Sequence, residues 1–232
     1  MRIGIIGSGL IGQKRADAAM ASNHQVAIVC DLVAARAAAL AARAKAISST
    51  RWQDVIAADI DAVIIATTHD QLATLALAAV EAGKHVLVEK PAGRRAREVA
   101  PVVAAAERLR RIVKVGFNHR FHPAFLKARE LVDSSALGPL LYIRGRYGHG
   151  GRLDYDKEWR CVPELSGGGE LIDQGSHLID LARWFLGDLR LEYAATPTYF
   201  WNIPVDDNCF LALKSKAGAM RVETREQRRA RR

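Results

Sequence analysis

Cysteine is scarce in this 232-residue sequence, and long apolar runs are missing altogether. The three cysteines, Cys30, Cys161 and Cys209, are far apart and form no Cys-x-x-Cys pair. This spacing argues against disulfides or a structural zinc ion and favours a reducing, cytoplasmic compartment. No apolar run reaches the roughly 18 residues that span a bilayer, so we expect no membrane partner. The glycine-broken first residues predict a strand rather than a signal peptide.

Aromatic residues make up only 6% of the chain. The net charge of +9 could indicate nucleic-acid binding, but the scarcity of aromatic residues argues against it. Residues 225–232 hold five arginines and one glutamate, so they carry +4 of that charge and leave +5 for the rest. No aromatic residues are interleaved with these arginines, as single-strand binders require. We therefore expect no specific nucleic-acid partner.

Hydrophobic residues, at 50%, are plentiful enough for a packed core, and through residue 117 they form short runs between longer alanine-rich stretches. We predict strands at 3–6, 25–30, 62–66, 85–88 and 112–116, and helices at 11–21, 34–44, 71–81 and 94–110. Continuous apolar strands separated by helices are typical of a parallel sheet covered on both faces. The predicted class is α/β, with a doubly wound Rossmann fold.

The pattern changes near residue 121. Helices are predicted at 123–132 and 170–185, and strands at 140–147, 205–213 and 219–222, which is an α+β pattern. We therefore predict an α/β domain over residues 1–119 and a partial α+β domain over residues 120–232.

A phosphate-binding turn is predicted where the first strand meets the first helix. Its sequence is Gly7-Ser8-Gly9-Leu10-Ile11-Gly12, the G-x-G-x-x-G pattern in the strand–helix context that it needs. Gly7 permits the tight turn, Gly9 lets the backbone approach a pyrophosphate, and Gly12 lets helix and strand pack closely. The alternative is a glycine-rich turn without a ligand.

The choice of cofactor is predicted from Asp31, which follows Gly12 by 19 residues and ends the second strand. Its carboxylate suits the ribose hydroxyls of NAD and would repel the 2′-phosphate of NADP. NAD is therefore favoured, although Arg36 nearby leaves NADP open as the less favoured cofactor.

A candidate catalytic lysine follows the strand at 85–88, in the sequence Glu89-Lys90-Pro91. In an open α/β sheet, ligands lie beyond the carboxyl ends of the strands, so Lys90 is predicted beside the nicotinamide. The alternative is a surface lysine before a turn.

A candidate acid–base pair lies in the predicted helix at 170–185. Asp173 and His177 are four residues apart and share a helix face, where a carboxylate can orient an imidazole and raise its basicity. Asp180 lies near the same face. A histidine of the core is an open alternative, whereas zinc binding is disfavoured because a third ligand of suitable spacing is lacking.

In this order, the glycine motif, Glu89-Lys90-Pro91 and the Asp173–His177 pair resemble the Gfo/Idh/MocA oxidoreductase family, which includes glucose–fructose oxidoreductase and inositol dehydrogenase. Residues 116–123 resemble the crossover between the two domains of that family. The resemblance implies a Rossmann domain followed by an α+β domain whose open antiparallel sheet forms a homo-oligomer interface. It also implies hydride transfer between NAD(P) and a hydroxyl or carbonyl of a sugar, sugar derivative or polyol.

The resemblance also assigns roles to single residues. Lys90 would position the substrate and polarise its hydroxyl, Asp173 would help to hold the substrate, and His177 would take or return the hydroxyl proton. Asn118 would lie near the nicotinamide or the substrate, and Glu89 would line the cofactor ribose.

Two departures from the family pattern bear on activity. Thr67-Thr68-His69 stands where the family usually has Thr-Pro-Asn, and Thr67 and Thr68 are still expected to pass close to the cofactor. The chain is also short for the family, and its end resembles a truncation or a shifted reading frame. The alternative function is therefore a non-catalytic dinucleotide-binding sensor, or an inactive truncated remnant of the enzyme.

Substrate contacts are predicted in segments rich in arginine and aromatics. The candidates are Arg146, Tyr147, Trp159 and Arg160, because guanidinium groups bind polar oxygens and aromatic faces stack on sugars. Asp206-Asp207-Asn208 is a weaker candidate of the same kind. A solvated loop is the alternative in each case.

Overall fold

The computed structural model describes residues 1–148 and 151–215. The chain divides into two compact units, and the second begins at Phe117. The strand predicted at 219–222, the arginine-rich residues 225–232, and residues 149–150 of the glycine-rich loop lie outside the described residues.

The first unit is a six-stranded parallel sheet in the order β3-β2-β1-β4-β5-β6. Its strands are β1 (Arg2–Ile6), β2 (Gln25–Cys30), β3 (Ile47–Ser49), β4 (Ala62–Ile65), β5 (His85–Val88) and β6 (Val113–Val115). Its helices are α1 (Leu10–Ala21), α2 (Ala34–Ala44), α3 (Trp52–Ala57), α4 (His69–Glu81) and α5 (Ala96–Leu109). The doubly wound α/β prediction is confirmed, and the strand order reverses between β1 and β4.

Each face of this sheet has its own core. On one face, α1 and α2 pack residues such as Ala16 and Leu40 against Ile5 of β1. On the other face, α4 and α5 pack residues such as Leu72 and Val102 against the sheet, together with Val55 of α3. The continuous apolar strands of the sequence are thus explained, because both surfaces of the sheet are buried.

Two short elements of the first unit, β3 and α3, were not predicted. β3 is three residues long, with the sequence Ile47-Ser48-Ser49, and α3 has six residues. Segments of this length hold too few residues for an apolar period to be visible.

The second unit combines helices with a small antiparallel sheet. It contains α6 (Pro123–Asp133), α7 (Pro163–Ser166), α8 (Ser176–Leu186), β7 (Leu189–Ala195) and β8 (Phe210–Ser215). Short 3₁₀ turns occupy Asn118–Phe121, Tyr155–Lys157 and Trp159–Cys161, and a π-helical turn occupies Leu171–Gly175. β7 and β8 pair with each other, and Ala182 of α8 packs with Leu211 and Leu213 of β8 in the core.

Two strand predictions for this unit were wrong in detail, and one strand was not predicted. Residues 140–147 form no strand, since β7 and β8 are the only strands that pair in the described part of this unit. The strand predicted at 205–213 begins only at Phe210, because Asp206 and Asp207 bind other backbone groups instead of extending the ladder. The strand β7 was missed, although Leu189, Leu191 and Tyr193 alternate as strand residues do.

None of the helices in the described ranges is long and apolar enough to cross a bilayer. In those same ranges, no group of three or more His, Cys, Asp or Glu side chains is arranged to hold a metal ion.

Candidate active site

The glycine turn lies at the carboxyl end of β1, at the point where the strand order reverses. Gly7 has φ +94°, and a Cβ there would lie 2.3 Å from the carbonyl oxygen of Ala66. A Cβ on Gly12 would lie 1.9 Å from the carbonyl oxygen of Gly7, whereas nothing lies within 4 Å of a Cβ built on Gly9. Gly7 and Gly12 are therefore required for packing, and Gly9 leaves open space beside the backbone.

That open space faces the start of α1. Gly9 is the N-cap residue and makes no side-chain capping bond, and the helix begins at Leu10. The N–H groups of the first turn, from Leu10, Ile11 and Gly12, have no acceptor within the helix. Since they carry the positive end of the helix dipole, these residues fit a pyrophosphate.

Asp31 ties this turn to the end of β2. Its Oδ2 accepts hydrogen bonds from the backbone N–H of Ser8 at 2.8 Å and from the Ser8 hydroxyl at 3.0 Å. Its Oδ1 accepts from the backbone N–H of Val33 at 2.9 Å. The carboxylate thus fixes the glycine turn, and a carboxylate has room for further donors such as ribose hydroxyls.

Thr67, Thr68 and His69 follow β4 at the same edge of the sheet. Thr68 is the N-cap residue of α4, and His69 begins the helix two residues earlier than predicted. His69 is buried at 3% exposure. His69, which departs from the family pattern, is therefore a buried residue at the start of α4.

Glu89 and Lys90 follow β5 at this edge as well. The Glu89 carboxylate accepts a hydrogen bond from Nε of Arg15, on α1, at 2.5 Å, and both side chains are largely buried. Glu89 also packs against Gly116, where a Cβ would lie 2.7 Å from its Oε2. Lys90 is half-buried and comes next in the chain. The carboxyl edge of the sheet therefore gathers all the cofactor residues predicted in the first unit.

In the second unit, Asp173 lies in the π-helical turn Leu171–Gly175 and His177 in the first turn of α8. The single α-helix predicted at 170–185 is thus a π-helical turn followed by an α-helix. Such turns are frequent at functional sites. Asp173 and His177 are both buried, with 5% and 6% exposure.

Asp206 holds the start of this helical segment. Its Oδ1 and Oδ2 accept from the backbone N–H groups of Gly169 at 2.9 Å and Leu171 at 2.8 Å. Its carbonyl oxygen accepts from the N–H of Glu170 at 2.9 Å. Three successive N–H groups at the start of this helical segment thus bind one residue, Asp206.

Arg160 neutralises Asp173. Its Nε donates to the Asp173 carboxylate at 3.0 Å, and its Nη1 donates to Glu158 at 3.1 Å. The guanidinium lies 4.7 Å from the ring centroid of Trp159. The Arg160 guanidinium therefore contacts both the Asp173 carboxylate and the Trp159 ring.

A buried tyrosine lies near the same segment. The Tyr155 hydroxyl donates to Glu170 at 2.7 Å. Burial, and then the hydrogen bond to Glu170, raise the pKa of Tyr155 far above its ordinary value. Tyr155 therefore stays protonated and acts as a fixed donor.

The remaining predicted residues of the second unit differ in burial. Asn118 begins the 3₁₀ turn Asn118–Phe121 and is exposed, as is Arg146. Tyr147 packs edge-on against His119, with ring centroids 5.0 Å apart.

Asp207 is 1% exposed, and its carboxylate binds backbone N–H groups at 199–201. The carboxylates of Asp206 and Asp207 both bind backbone N–H groups, and their role as substrate residues stays a prediction.

The sequence did not predict the supporting contacts that several residues make with the candidate residues or with the segments that carry them. Arg15, Asp206 and His119 are the main examples, and each acts on a residue at least 37 positions away. Arg15 lies on the helix that the glycine motif opens, His119 lies in the segment that resembles the family crossover, and Asp206 was a weak substrate candidate. No local pattern indicates which residue each of them contacts.

Comparison with known proteins shows the class of protein to which this chain belongs. Residues 1–117 match the family model described as "Oxidoreductase family, NAD-binding Rossmann fold". Residues 125–224 match the model of the GFO/IDH/MocA C-terminal domain. The chain therefore belongs to the Gfo/Idh/MocA oxidoreductase family, and its first unit is the NAD-binding Rossmann domain of that family. The family and fold predicted from the sequence are confirmed.

Individual relatives agree with this placement. The chain is 33% identical over 228 residues to inositol 2-dehydrogenase 2 of Saccharopolyspora erythraea, covering 95% of this chain and 65% of the relative. It is 32% identical over 174 residues to levoglucosan dehydrogenase of Pseudarthrobacter phenanthrenivorans, covering 74% of this chain and 45% of the relative. A solved levoglucosan dehydrogenase in complex with NADH superposes with a TM-score of 0.89 at 29% identity, covering 97% of this chain and 66% of that one. The chain thus spans less than two thirds of each of these proteins.

Proposed function

We propose that this chain carries the active site of an NAD-dependent dehydrogenase that oxidises a hydroxyl group of a sugar or polyol, or reduces the matching carbonyl. One observation carries the proposal. Lys90 leaves β5 at the sheet edge that also presents the glycine turn and Asp31, while Asp173 and His177 are buried together on one helical segment. We propose that residues 1–119 hold the cofactor and that residues 120–232 form the partial domain for substrate and oligomer contacts.

The proposed chemistry assigns one task to each side chain. His177 takes the proton of the substrate hydroxyl in oxidation and returns it in reduction. The Lys90 ammonium donates a hydrogen bond to the reacting oxygen, and Asp173, held by Arg160, binds a neighbouring hydroxyl. NAD, when bound, supplies the acceptor for the hydride that leaves the carbinol carbon.

The proposed cofactor contacts follow the geometry of the first unit. The N–H groups that begin α1 bind the pyrophosphate, with Ser8 fixed behind them by Asp31. Asp31 accepts from the ribose hydroxyls and repels the 2′-phosphate of NADP, so NAD is the preferred cofactor. Thr67 and Thr68 pass along the cofactor, and Glu89 and Asn118 lie toward its nicotinamide half.

The substrate class follows from the relatives, which are named for inositol and levoglucosan. The test measures NADH formation by the full chain with inositol, levoglucosan and a panel of other polyols, aminosugars and nucleotide sugars. We expect turnover with at least one of them. Absence of turnover with every member of the panel, at NAD concentrations that saturate the protein, contradicts a catalytic function.

The lysine provides the sharper test. Lys90→Met is expected to lower kcat by about a hundredfold or more, because a donor to the reacting oxygen is lost, while the Kd of NAD changes little. The matched control is Lys114→Met, which removes an exposed lysine of β6. Equal kcat values for Lys90→Met and the wild type would exclude Lys90 from the chemistry.

A dinucleotide-binding protein without turnover is the second candidate. The buried His69 favours it, because it stands where the family usually has an asparagine next to the cofactor edge. Calorimetric titration separates the candidates: NAD binding without turnover supports the binding protein, and turnover supports the enzyme. Failure to bind NAD at all supports an inactive remnant.

Two further properties are proposed, the oligomeric state and the location in the cell. β7 leaves Leu191 and Tyr193 exposed, each at 58%, and we propose that this sheet face meets a second copy in a homo-oligomer. Light scattering of the purified chain tests this. The cysteines are free and buried, which fits the proposed cytoplasmic location.

A further inference from the structure

Two histidine rings are stacked at the candidate acid–base residue. The ring centroids of His119 and His177 are 4.0 Å apart, and the ring planes differ by 22°. His177 is buried, whereas His119 is half-buried in the 3₁₀ turn Asn118–Phe121. One face of the His177 ring is therefore covered by a ring from a different element.

An ion pair holds the two elements together. Arg120, the residue after His119, donates from Nε and Nη2 to the two carboxylate oxygens of Asp180 at 2.7 and 2.6 Å. Asp180 lies on α8 three residues after His177, and its side chain is only 10% exposed. Such two-pronged contacts fix orientation as well as distance. The 3₁₀ turn is thus held over the helix turn that carries His177.

Two more rings close the edges of the stack. Phe117 and Tyr147 both meet the His177 ring edge-on, with centroids at 5.9 and 6.2 Å and interplanar angles of 84°. Tyr147 also meets His119 edge-on. The torsion of an imidazole about its Cβ–Cγ bond has a broad energy minimum, so packing against neighbouring rings sets its orientation.

We propose that His119 is a positioning residue that fixes the ring orientation of His177 by stacking. The Arg120–Asp180 ion pair holds the two elements so that the rings stay stacked. The proposal rests on the proposed function only for the role of His177 in proton transfer. The stack itself stands on the geometry. The proposal predicts that any aromatic ring at position 119 orients His177, including one that cannot be protonated.

The test compares His119→Ala with His119→Phe in the full chain. Loss of the ring is expected to lower kcat by about tenfold with little change in the KM of NAD, and phenylalanine is expected to restore most of it. The matched control is His122→Asn. It removes an exposed imidazole from the same segment while keeping an acceptor for the N–H of Ala124, which His122 caps.

A spectroscopic measurement separates this proposal from the proposed function. The ¹H–¹³C signal of the His177 ring, assigned by its loss in His177→Gln, reports ring currents from position 119 whether or not the chain turns over substrate. We expect that signal to shift in His119→Ala and to stay displaced from a solvent-exposed histidine in His119→Phe. A His177 signal that does not move in His119→Ala overturns the positioning role. Turnover that is absent in the wild type, with the shifts as expected, removes only the proposed function.

If His119→Ala fails to fold by circular dichroism, Asp180→Asn replaces it. This variant weakens the ion pair and leaves both rings in place, so the His177 signal is expected to broaden or shift. An unchanged signal in Asp180→Asn overturns the proposal in that case.

Discussion

The Asp206 carboxylate provides the strongest stability prediction, because it binds two N–H groups at the start of the segment that carries Asp173 and His177. Asp206→Ala leaves the N–H groups of Gly169 and Leu171 without their acceptor. A helix-capping bond contributes about 0.5–2 kcal/mol, and bonds to a charged acceptor lie at the upper end. We therefore expect a loss of about 2–4 kcal/mol in the free energy of unfolding.

For a chain of this size, about 1 kcal/mol corresponds to a shift of roughly 3 °C in the unfolding midpoint, so Tm should fall by roughly 6–12 °C. Calorimetry measures the midpoint, and amide hydrogen exchange at Gly169 and Leu171 measures the local effect. The control is Asp59→Ala, since the Asp59 side chain is 98% exposed. An unchanged midpoint together with unchanged exchange at these two amides would refute the reasoning.

Three further predictions concern the turn and the second unit. Gly12→Ala should weaken NAD binding by more than about tenfold in calorimetry, because its Cβ would displace the carbonyl of Gly7; an unchanged Kd contradicts this. Asp31→Ser should lower the preference for NAD over NADP by about tenfold or more, measured as the ratio of the two Kd values, since the charge that repels the 2′-phosphate is removed. Burial alone would raise the pKa of Asp207, but hydrogen bonds from the N–H groups at 199–201 and from Asn208 lower it below its ordinary value of 3.8. The stability that Asp207 contributes is therefore present above its ordinary pKa and is lost as the pH falls through the lowered pKa. Asp207→Asn should accordingly lose less stability than the wild type between pH 7 and pH 2 in urea titrations, and equal losses in the two proteins contradict this.

Local patterns account for what the sequence predicted correctly. The apolar runs of β1, β2 and β4 and the alanine-rich helices between them fix a parallel sheet, since each element shows its period within its own residues. The glycine motif is local in the same sense, because Gly7 and Gly12 contact each other within one turn. The resemblance to the family depends on such local motifs and was confirmed by comparison.

The errors in the second unit have a physical cause. The strand predicted at 205–213 included Asp206 and Asp207, but these residues bind backbone groups that come from elsewhere in the chain. Residues 140–147 alternate as a strand does, yet a strand exists only where a neighbour completes its ladder. Neither partner is visible in the segment itself.

The sequence by itself determined the Rossmann sheet, the glycine turn and the identity of the candidate residues Lys90, Asp173 and His177. Only the tertiary structure decided which side chains contact Glu89 and His177. Arg15 pairs with Glu89 and His119 stacks on His177, and these pairs lie 74 and 58 residues apart in the chain. Strand and helix periods arise from interactions between near neighbours. A pairing across such distances depends on the path of the whole chain, which no short segment encodes.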